Sequence, residues 1–145
     1  MPDSQPDDCL FCRIVAGDEL AHLVFEDEVC VGFLDARPLF HGHTLLVPRA
    51  HHEALWDLPD ELVAPLFVNA RLLSAAVREA MGAQGAFVAM NNIVSQSVPH
   101  LHVHIVPRVR KDGLRGFFWP RRKYRNDDEA RATADAVREA LARLS

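Results

Sequence analysis

The chain has 145 residues, of which 49% are hydrophobic and 25% charged, with a formal net charge of −4. We expect one domain over residues 1–145, large enough to bury a core without disulfides or a metal. No apolar run reaches the roughly 20 residues that cross a bilayer, so no membrane partner is expected. Residues 1–8 are polar and acidic and lack the basic and apolar regions of a secretory signal. The predicted location is therefore the cytoplasm.

The first half of the chain predicts a flexible tail followed by short strands. Residues 1–8 are expected to form the tail. Gly17-Asp18 is a turn signal, and a second tight turn is expected at Asp27-Glu28. The predicted strands are residues 23–26, 29–34 and 44–47, each bounded by turn or loop residues.

The long helix is predicted over residues 57–81, where apolar side chains recur at three-to-four residue spacing. Gly82 stands where a C-terminal cap belongs. Pro65 predicts a late start or a kink, because proline lacks the N–H that an interior helical position donates. Residues 86–90 then predict another strand.

A second helix is predicted over residues 126–145. Asn126 is a suitable N-cap, and we expect Glu129 to reach back to it three residues later. The order of strands, helix, strands and helix predicts an α+β fold. It would comprise an antiparallel sheet of about five strands with one long helix and a C-terminal helix.

The stretch from Pro99 to Pro107 alternates three histidines with aliphatic residues. In a strand, successive side chains point to opposite faces, so the aliphatic residues would enter the core while the imidazoles line the other face. Neighbouring imidazoles would then stand about 6–7 Å apart. Because each titrates near neutral pH, the row predicts an active site. The histidines are His100, His102 and His104.

His102 lies in the middle of this row, with a helper on each side. Its neutral imidazole could attack phosphorus and form a covalent phosphoramidate, provided that the other ring nitrogen keeps its proton on an acceptor such as a backbone carbonyl. A protonated His104 would stabilise charge on the phosphoryl oxygens, and Gln96 and Ser97 would hold the phosphate or protonate the leaving group. Two alternatives stay open: a surface strand without chemistry, or a catalytic zinc on His100 and His102 with a metal-bound water.

Four blocks of the sequence resemble the histidine triad (HIT) family of nucleotidyl hydrolases and transferases. The resemblance covers about residues 9–107, and the tail is similar to that of bacterial members. The loop before Gln96 is more compact than the glycine-rich loop usual in the family. The blocks are Cys9-Leu10-Phe11-Cys12-x-Ile14, Phe33-Leu34-Asp35, Gly42-His43-Thr44-Leu45-Leu46-Val47-Pro48 followed by His51, and Gln96-Ser97-Val98-x-His100-x-His102-x-His104.

The resemblance implies a HIT-like fold and a role for each matched residue. His102 would be the nucleophile on the α-phosphate, while His104 and His43 would contact phosphate. Ser97 would contact the leaving group, and Asp35 would accept hydrogen bonds from ribose hydroxyls. The catalytic set would be His102, His104, His100, Ser97 and Gln96; the nucleotide would be held by His43, Asp35, Phe33, Phe11 and Ile14, and by Asn91 or Asn92.

Cys9 and Cys12 have the spacing of half a tetrahedral zinc site. In a reducing compartment this spacing favours metal or redox chemistry over a disulfide. The other ligands would be His100 and either His51 or His52, and the resemblance to bacterial HIT proteins favours His51. Such a zinc would be structural, because four protein ligands leave no open position. The alternative is a pair of buried or free thiols.

Residues 108–125 carry eight basic residues against Asp112 alone, with aromatic residues between them. One interpretation is a loop that grips a polyphosphate or the second half of a dinucleotide. The other is a solvated loop whose aromatics pack at a dimer interface. Extended nucleic-acid binding is not expected, because the net charge is negative and no second basic patch appears.

Together these features predict a hydrolase or transferase that cleaves at the α-phosphate of purine nucleotide derivatives through a nucleotidyl-histidine intermediate. The resemblance implies dinucleoside polyphosphates, nucleoside phosphoramidates or aminoacyl adenylates as substrates, and a homodimer. The alternative function is a nucleotide-binding or signalling protein with little turnover.

Overall fold

The computed structural model describes residues 8–115 and 121–145. It divides into two units, Met1–Asp112 and Gly113–Ser145, which are described separately. The prediction of one domain over residues 1–145 stays a prediction. All of the predicted tail except Asp8 lies outside the described residues, as do Phe117, Phe118 and Trp119 of the basic and aromatic segment.

The first unit is built on a five-stranded antiparallel sheet. Its strands are β1 (Leu23–Glu26), β2 (Cys30–Leu34), β3 (Thr44–Pro48), β4 (Gly85–Ala89) and β5 (Val103–Arg108). They lie in the order β1-β2-β3-β5-β4, with every neighbouring pair antiparallel. The helices of this unit are α1 (Leu10–Ala16) and α2 (Asp60–Ala80), with a short 3-10 helix at Leu55–Asp57. The α+β prediction is confirmed.

Helix α2 covers one face of the sheet. Its buried residues Leu66, Leu73 and Val77 pack into a single cluster with Leu46 and Ile105 of the strands. The helix begins three residues later than predicted and keeps Pro65 in its interior. It ends as predicted near Gly82, whose φ of +62° suits glycine and whose N–H bonds to Glu79 O at 3.1 Å.

Helix α1 lies on the opposite face. Phe11 and Ile14 pack there against Val31, Phe33 and Leu45. Along β2 and β3, successive residues therefore alternate between the α2 cluster and the α1 cluster, as the period of two requires. Both faces of these strands are buried. The polar functional groups therefore lie at the edge of the sheet face that α1 covers.

The prediction of one strand through all three histidines is wrong in extent. Strand β5 begins only at Val103, so His100 and His102 precede it. The chain there is held by turn-like bonds, His100 N–H to Val98 O at 2.8 Å and Leu101 N–H to His52 O at 2.6 Å. The predicted alternation nevertheless holds for the aliphatic residues, because Leu101, Val103 and Ile105 are fully buried in the α2 cluster.

The second unit contains helix α3 (Asp127–Leu144). Asn126 caps it as predicted, since its side-chain oxygen accepts from Glu129 N–H at 2.9 Å. Glu129 reaches back four residues rather than three, to Arg125 N–H at 2.9 Å. None of the helix's residues is buried. None of the described helices is long and apolar enough to cross a bilayer.

Candidate active site

A cavity of about 970 Å³ opens between α1, the end of β2 and the histidine segment. Its volume lies in the range of sites that hold a nucleotide-sized ligand. Seven of the predicted site residues line it: Phe11, Ile14, Phe33, Asp35, Ser97, His102 and His104. The predicted nucleophile and the predicted nucleoside wall therefore share one cavity.

His102 is held in one tautomer by the backbone. Its Nδ1 lies 2.8 Å from His100 O, and because a carbonyl only accepts, Nδ1 must donate. In the neutral ring Nε2 then carries the free lone pair. Burial lowers the pKa of His102, partly opposed by the bond to His100 O and the charge of Asp35. The ring is therefore neutral at neutral pH, and its Nε2 lone pair is available for attack.

His43 and His104 form a coupled pair beside His102. Leu39 N–H donates to His43 Nδ1 at 3.1 Å, which assigns the proton of the neutral His43 ring to Nε2. That nitrogen lies 3.0 Å from His104 Nδ1, so His104 accepts there and carries its own proton on Nε2. The rings of His102 and His104 are 4.9 Å apart, closer than the 6–7 Å expected for a row in one strand.

His104 is a neutral donor rather than the cation that sequence reasoning considered. Burial and the neighbouring His102 and His43 lower the pKa of His104 to about 4, against an opposing contribution from Asp35. Burial likewise lowers the pKa of His43. At neutral pH His104 thus presents an uncharged Nε2–H, which is still an effective hydrogen-bond donor in a partly buried site.

Asp35 lies where β2 ends and links the cavity to the histidine pair. Its Oδ1 accepts from Arg37 N–H at 2.9 Å, an Asx turn that fixes the carboxylate. Its Oδ2 lies 3.5 Å from His43 Nε2. The carboxylate therefore faces the cavity from a position beside the imidazoles.

The apolar wall comes from α1 and β2. Phe11 meets Phe33 edge-to-face with ring centroids 5.3 Å apart, and it meets His102 in the same way at 5.0 Å. Phe11, Phe33 and Ile14 are all buried. One aromatic ring thus contacts both the apolar wall and the predicted nucleophile.

The loop before Ser97 uses its amides for its own structure. Gln96 Nε2 donates to Glu53 O at 2.7 Å and its Oε1 accepts from Ile93 N–H at 3.0 Å. Asn92 Oδ1 accepts from Leu55 N–H at 2.7 Å, and Asn91 Nδ2 donates to Ser95 O at 3.3 Å. These three predicted site residues do not line the cavity. Their side chains brace the segment that leads to Ser97.

Four predicted metal ligands come together next to the cavity. The ligand atoms of Cys9, Cys12, His51 and His100 all lie within 4.8 Å of one another. The sulfur-to-nitrogen distances are 3.4 Å for Cys9 to His100, 3.3 Å for Cys12 to His51 and 3.5 Å for Cys12 to His100. A tetrahedral zinc with sulfur and nitrogen ligands has such edges of about 3.5 Å. The set therefore fits a zinc ion.

Hydrogen bonds and charge support that fit. His100 Nε2 donates to Pro48 O at 2.9 Å, which turns the unprotonated Nδ1 toward the sulfurs. Burial and the adjacent Cys9 raise the pKa of Cys12 to about 12. A cation at this place would favour the Cys12 thiolate, so the cluster is electrostatically suited to one. His51 Nε2 is buried without a partner among the described residues.

Several residues at the site had no sequence signal. Glu19, Leu20, His22 and Arg37 line the cavity although they belong to none of the recognised blocks. His22 is exposed at the cavity rim. Leu39 contributes only a backbone N–H, which no side-chain pattern could identify. Of the imidazoles that line the cavity, the sequence pattern indicated His102 and His104 but not His22.

Comparison with known proteins gives an independent result. A family model described as HIT domain matches residues 17–111. The adenylylsulfatase HINT3 of Arabidopsis thaliana is 33% identical over 144 residues, covering 94% of this chain and 71% of that protein. The adenosine 5'-monophosphoramidase hnt1 of Schizosaccharomyces pombe is 34% identical over 114 residues, covering 77% of this chain and 83% of that protein.

A solved structure is similar over nearly its whole length. It is described as a Zn-bound histidine triad family protein from Mycobacterium smegmatis. It superposes with a TM-score of 0.72 at 37% identity and covers 97% of each chain. The sheet and helices described above are thus those of an experimentally known fold.

Proposed function

The chain belongs to the HIT family, and from that premise we propose that it hydrolyses or transfers nucleotidyl groups through a covalent intermediate on His102. The observation that carries this proposal is the bond from His102 Nδ1 to His100 O at 2.8 Å. It leaves the Nε2 lone pair for attack while the ring lines a nucleotide-sized cavity. A nucleophile oriented in this way needs no further proton transfer before it attacks.

The proposed first step forms a bond between His102 Nε2 and the α-phosphorus and breaks the bond from phosphorus to the leaving group. The leaving atom takes a proton from the Ser97 hydroxyl, which lines the cavity. In the second step water attacks the same phosphorus and gives a proton back to Ser97 as the bond from phosphorus to His102 Nε2 breaks, which releases the nucleoside monophosphate and restores both side chains. Transfer to another acceptor follows the same path with that acceptor in place of water.

Other residues of the cavity serve this displacement. The neutral His104 Nε2–H would donate to a phosphoryl oxygen, with His43 holding the ring in place at 3.0 Å. Asp35 would accept from the ribose hydroxyls, since a carboxylate only accepts. Phe11, Phe33 and Ile14 would enclose the purine by apolar contact. Gln96, Asn91 and Asn92 would act by holding the loop in place, because their side chains bond to the loop itself and to Glu53 and Leu55.

The proposed substrates are purine nucleotides with a good leaving group on the α-phosphorus. The two named relatives act on adenylyl sulfate and on an adenosine phosphoramidate, as their names state. These compounds share the adenylyl group and differ in what leaves. Nucleoside phosphoramidates and mixed anhydrides, dinucleoside polyphosphates among them, are therefore the substrate classes to test.

The test compares wild type with His102→Asn on a panel of these substrates. We expect turnover to fall by about 10³-fold or more, because the displacement loses its nucleophile, while AMP still binds. Intact-mass measurement during turnover should show a nucleotidyl adduct on wild type only. His41→Asn removes an exposed histidine outside the cavity and is the matched control. Unchanged slow turnover in His102→Asn would favour a nucleotide-binding protein over an enzyme.

We also propose that Cys9, Cys12, His51 and His100 hold a structural zinc ion. Bound there, the metal would link the start of α1 to the histidine segment and would have no open position for catalysis. The fit of the four ligand atoms supports this proposal. So does the Zn-bound description of the Mycobacterium smegmatis relative. Metal analysis of the purified protein should find about one zinc per chain.

A homodimer remains the proposed assembly. Strand β4 is at an edge of the sheet, and its Val88 is exposed. Phe67 and Leu72 of α2 are also exposed. Exposed apolar residues near a sheet edge are typical of an interface.

Sedimentation of the purified chain should give twice the monomer mass, and Val88→Lys should shift it toward monomer. The predicted interface at the aromatic segment falls largely on residues 116–120, outside the described residues.

A further inference from the structure

The peptide unit between His100 and Leu101 is held at both of its ends. Its carbonyl accepts the Nδ1–H of His102 at 2.8 Å. Its N–H, which belongs to Leu101, donates to His52 O at 2.6 Å. The unit is trans, so its carbonyl and its N–H point in opposite directions. The bond to His52 therefore fixes the direction in which the carbonyl faces His102.

The direction of this peptide unit decides which nitrogen of His102 carries the proton. If the unit were reversed, the Leu101 N–H would face His102 in place of the carbonyl. Because an N–H only donates, Nδ1 would then have to accept, and the proton of the neutral ring would move to Nε2. Nε2 is the nitrogen whose lone pair attacks in the proposed function. A reversed peptide would therefore leave the ring unable to attack.

The His52 carbonyl lies in an irregular part of the chain. Residues 49–54, between β3 and the short 3-10 helix, belong to no helix or strand, so no ladder of backbone bonds fixes this carbonyl. The preceding side chain is that of His51, whose Nδ1 lies 3.3 Å from Cys12 Sγ. The Nε2 of His51 has no hydrogen-bond partner among the described residues. The polar attachment of His51 is therefore the cluster of cysteines and histidines.

The same cluster holds the other side of the peptide unit. The Nδ1 of His100 lies 3.4 Å from Cys9 Sγ and 3.5 Å from Cys12 Sγ. The rings of His100 and His51 meet edge-to-face with centroids 5.0 Å apart. When zinc is bound, both histidines are joined through one ion. The residue that supplies the peptide carbonyl and the neighbour of the residue that holds the peptide N–H are then tied together.

We propose that His51 is a positioning residue for His102. Bound in the metal cluster, it keeps the His52 carbonyl on the Leu101 N–H. That contact in turn keeps the carbonyl of the same peptide unit on His102 Nδ1. The inference rests on the proposed function, because it takes His102 as the attacking group, and on the proposed zinc ion. It gives the cluster an effect on the rate although no substrate contacts the metal.

The experiment reads the tautomer of His102 by long-range 1H–15N NMR correlation in the folded full chain at neutral pH. Zinc-loaded wild type should carry the proton on Nδ1 alone. His51→Ala should lose zinc and show both tautomers of His102. Its kcat should fall about 10- to 100-fold, because part of the population has the wrong nitrogen protonated and the rest is less firmly oriented. The Kd of AMP should rise by a smaller factor, since most of the cavity lining does not depend on this peptide.

Two further variants make the result specific. His51→Cys places a sulfur close to the position of Nδ1, which is the ring nitrogen nearer the backbone. It should therefore keep the zinc, the proton on His102 Nδ1 and a kcat within about threefold of wild type. His41→Ala removes an exposed histidine outside the cavity and should match wild type in all three measurements.

Removal of the metal from wild type tests the same inference without a substitution, and it decides the matter if His51→Ala does not fold. A chelator that strips the zinc should make the second tautomer of His102 appear. Addition of zinc should restore the single tautomer. The backbone amide signals of the sheet show whether the chain is still folded in each state.

Each failure has a distinct meaning. A single Nδ1 tautomer that survives the loss of zinc would overturn the inference and assign the hold on the peptide to the bond from Gln96 Nε2 to Glu53 O at 2.7 Å. Wild type that binds no zinc would overturn it too, as would a zinc-loaded His51→Cys that shows both tautomers. A fixed tautomer in wild type that neither turns over substrate nor forms a nucleotidyl adduct would instead contradict the proposed function itself.

Discussion

At the residue scale, the chemistry of His102 depends on groups that side-chain patterns do not show. The triad spacing placed three imidazoles together, but the tautomer of His102 is set by the carbonyl of His100 at 2.8 Å. The tautomer of His43 is set by the backbone N–H of Leu39 at 3.1 Å. The sequence could therefore supply the reacting groups, whereas only the fold could supply their protonation.

The pH dependence of turnover follows from the burial of His102. Burial lowers the pKa of this ring below its ordinary 6.5, and only the unprotonated ring can attack. We therefore expect the acid limb of kcat/KM to be centred below pH 6.5. Initial rates on both sides of pH 6.5 would check it with a substrate whose own groups do not titrate there. An acid limb centred above pH 6.5 would contradict the lowered pKa.

A second prediction at this scale concerns strain at Ile93. Its φ is +74°, a left-handed conformation that a β-branched residue adopts only at a cost. We expect Ile93→Gly to raise the free energy of unfolding by about 1 kcal/mol, because glycine adopts this conformation freely. Val94→Gly is the control at the next residue and should lower stability by about 0.5–1 kcal/mol. Denaturant unfolding measures both, and destabilisation by Ile93→Gly would contradict the strain.

At the element scale, local sequence patterns predicted most of the helices and strands. They failed where tertiary contacts decide the length of an element. The strands over residues 23–26, 30–34 and 44–48 agree with the predictions to within a residue. The histidine strand is shorter than predicted because His52 O captures Leu101 N–H at 2.6 Å. No periodicity in the sequence encodes that bond, which joins residues 49 positions apart. The sequence showed that the loop before Ser97 is compact, but it could not show that Gln96 of this loop donates to Glu53 O.

The prediction at the element scale concerns how α1 is attached to the rest of the first unit. This seven-residue helix begins directly after Cys9 and carries Phe11, so the proposed zinc would help to hold the purine wall in place. We expect Cys12→Ser to lower bound zinc at least tenfold and to lower the melting temperature. Cys30→Ala removes a buried cysteine outside the cluster and should keep the zinc. Metal analysis and thermal melts would decide, and retention of zinc in Cys12→Ser would contradict the ligand set.

At the scale of the whole first unit, the sheet separates a core from a site. The sheet face covered by α2 is filled with aliphatic side chains. The face covered by α1 carries buried aromatic side chains, and the histidines lie next to them. Four imidazoles are thereby withdrawn from water in one region: His43, His100, His102 and His104. Burial lowers the pKa of each of them. The same burial that keeps the proposed nucleophile neutral must therefore make the fold sensitive to acid.

The last prediction is the pH dependence of stability. For His104 the pKa is about 4 in the folded chain and about 6.5 when unfolded. Between these values the unfolded chain binds the extra proton, so the free energy of unfolding rises with pH through this window and levels off above pH 6.5. His43, whose pKa is also lowered, adds to the slope.

Thermal melts from pH 4.5 to pH 8 should show stability lost as the pH falls below 6.5. His104→Asn, with one titrating group fewer, should have a shallower slope, whereas His41→Asn, exposed outside the cavity, should match wild type. Equal slopes in His104→Asn and wild type would show that this ring is not buried in its neutral form.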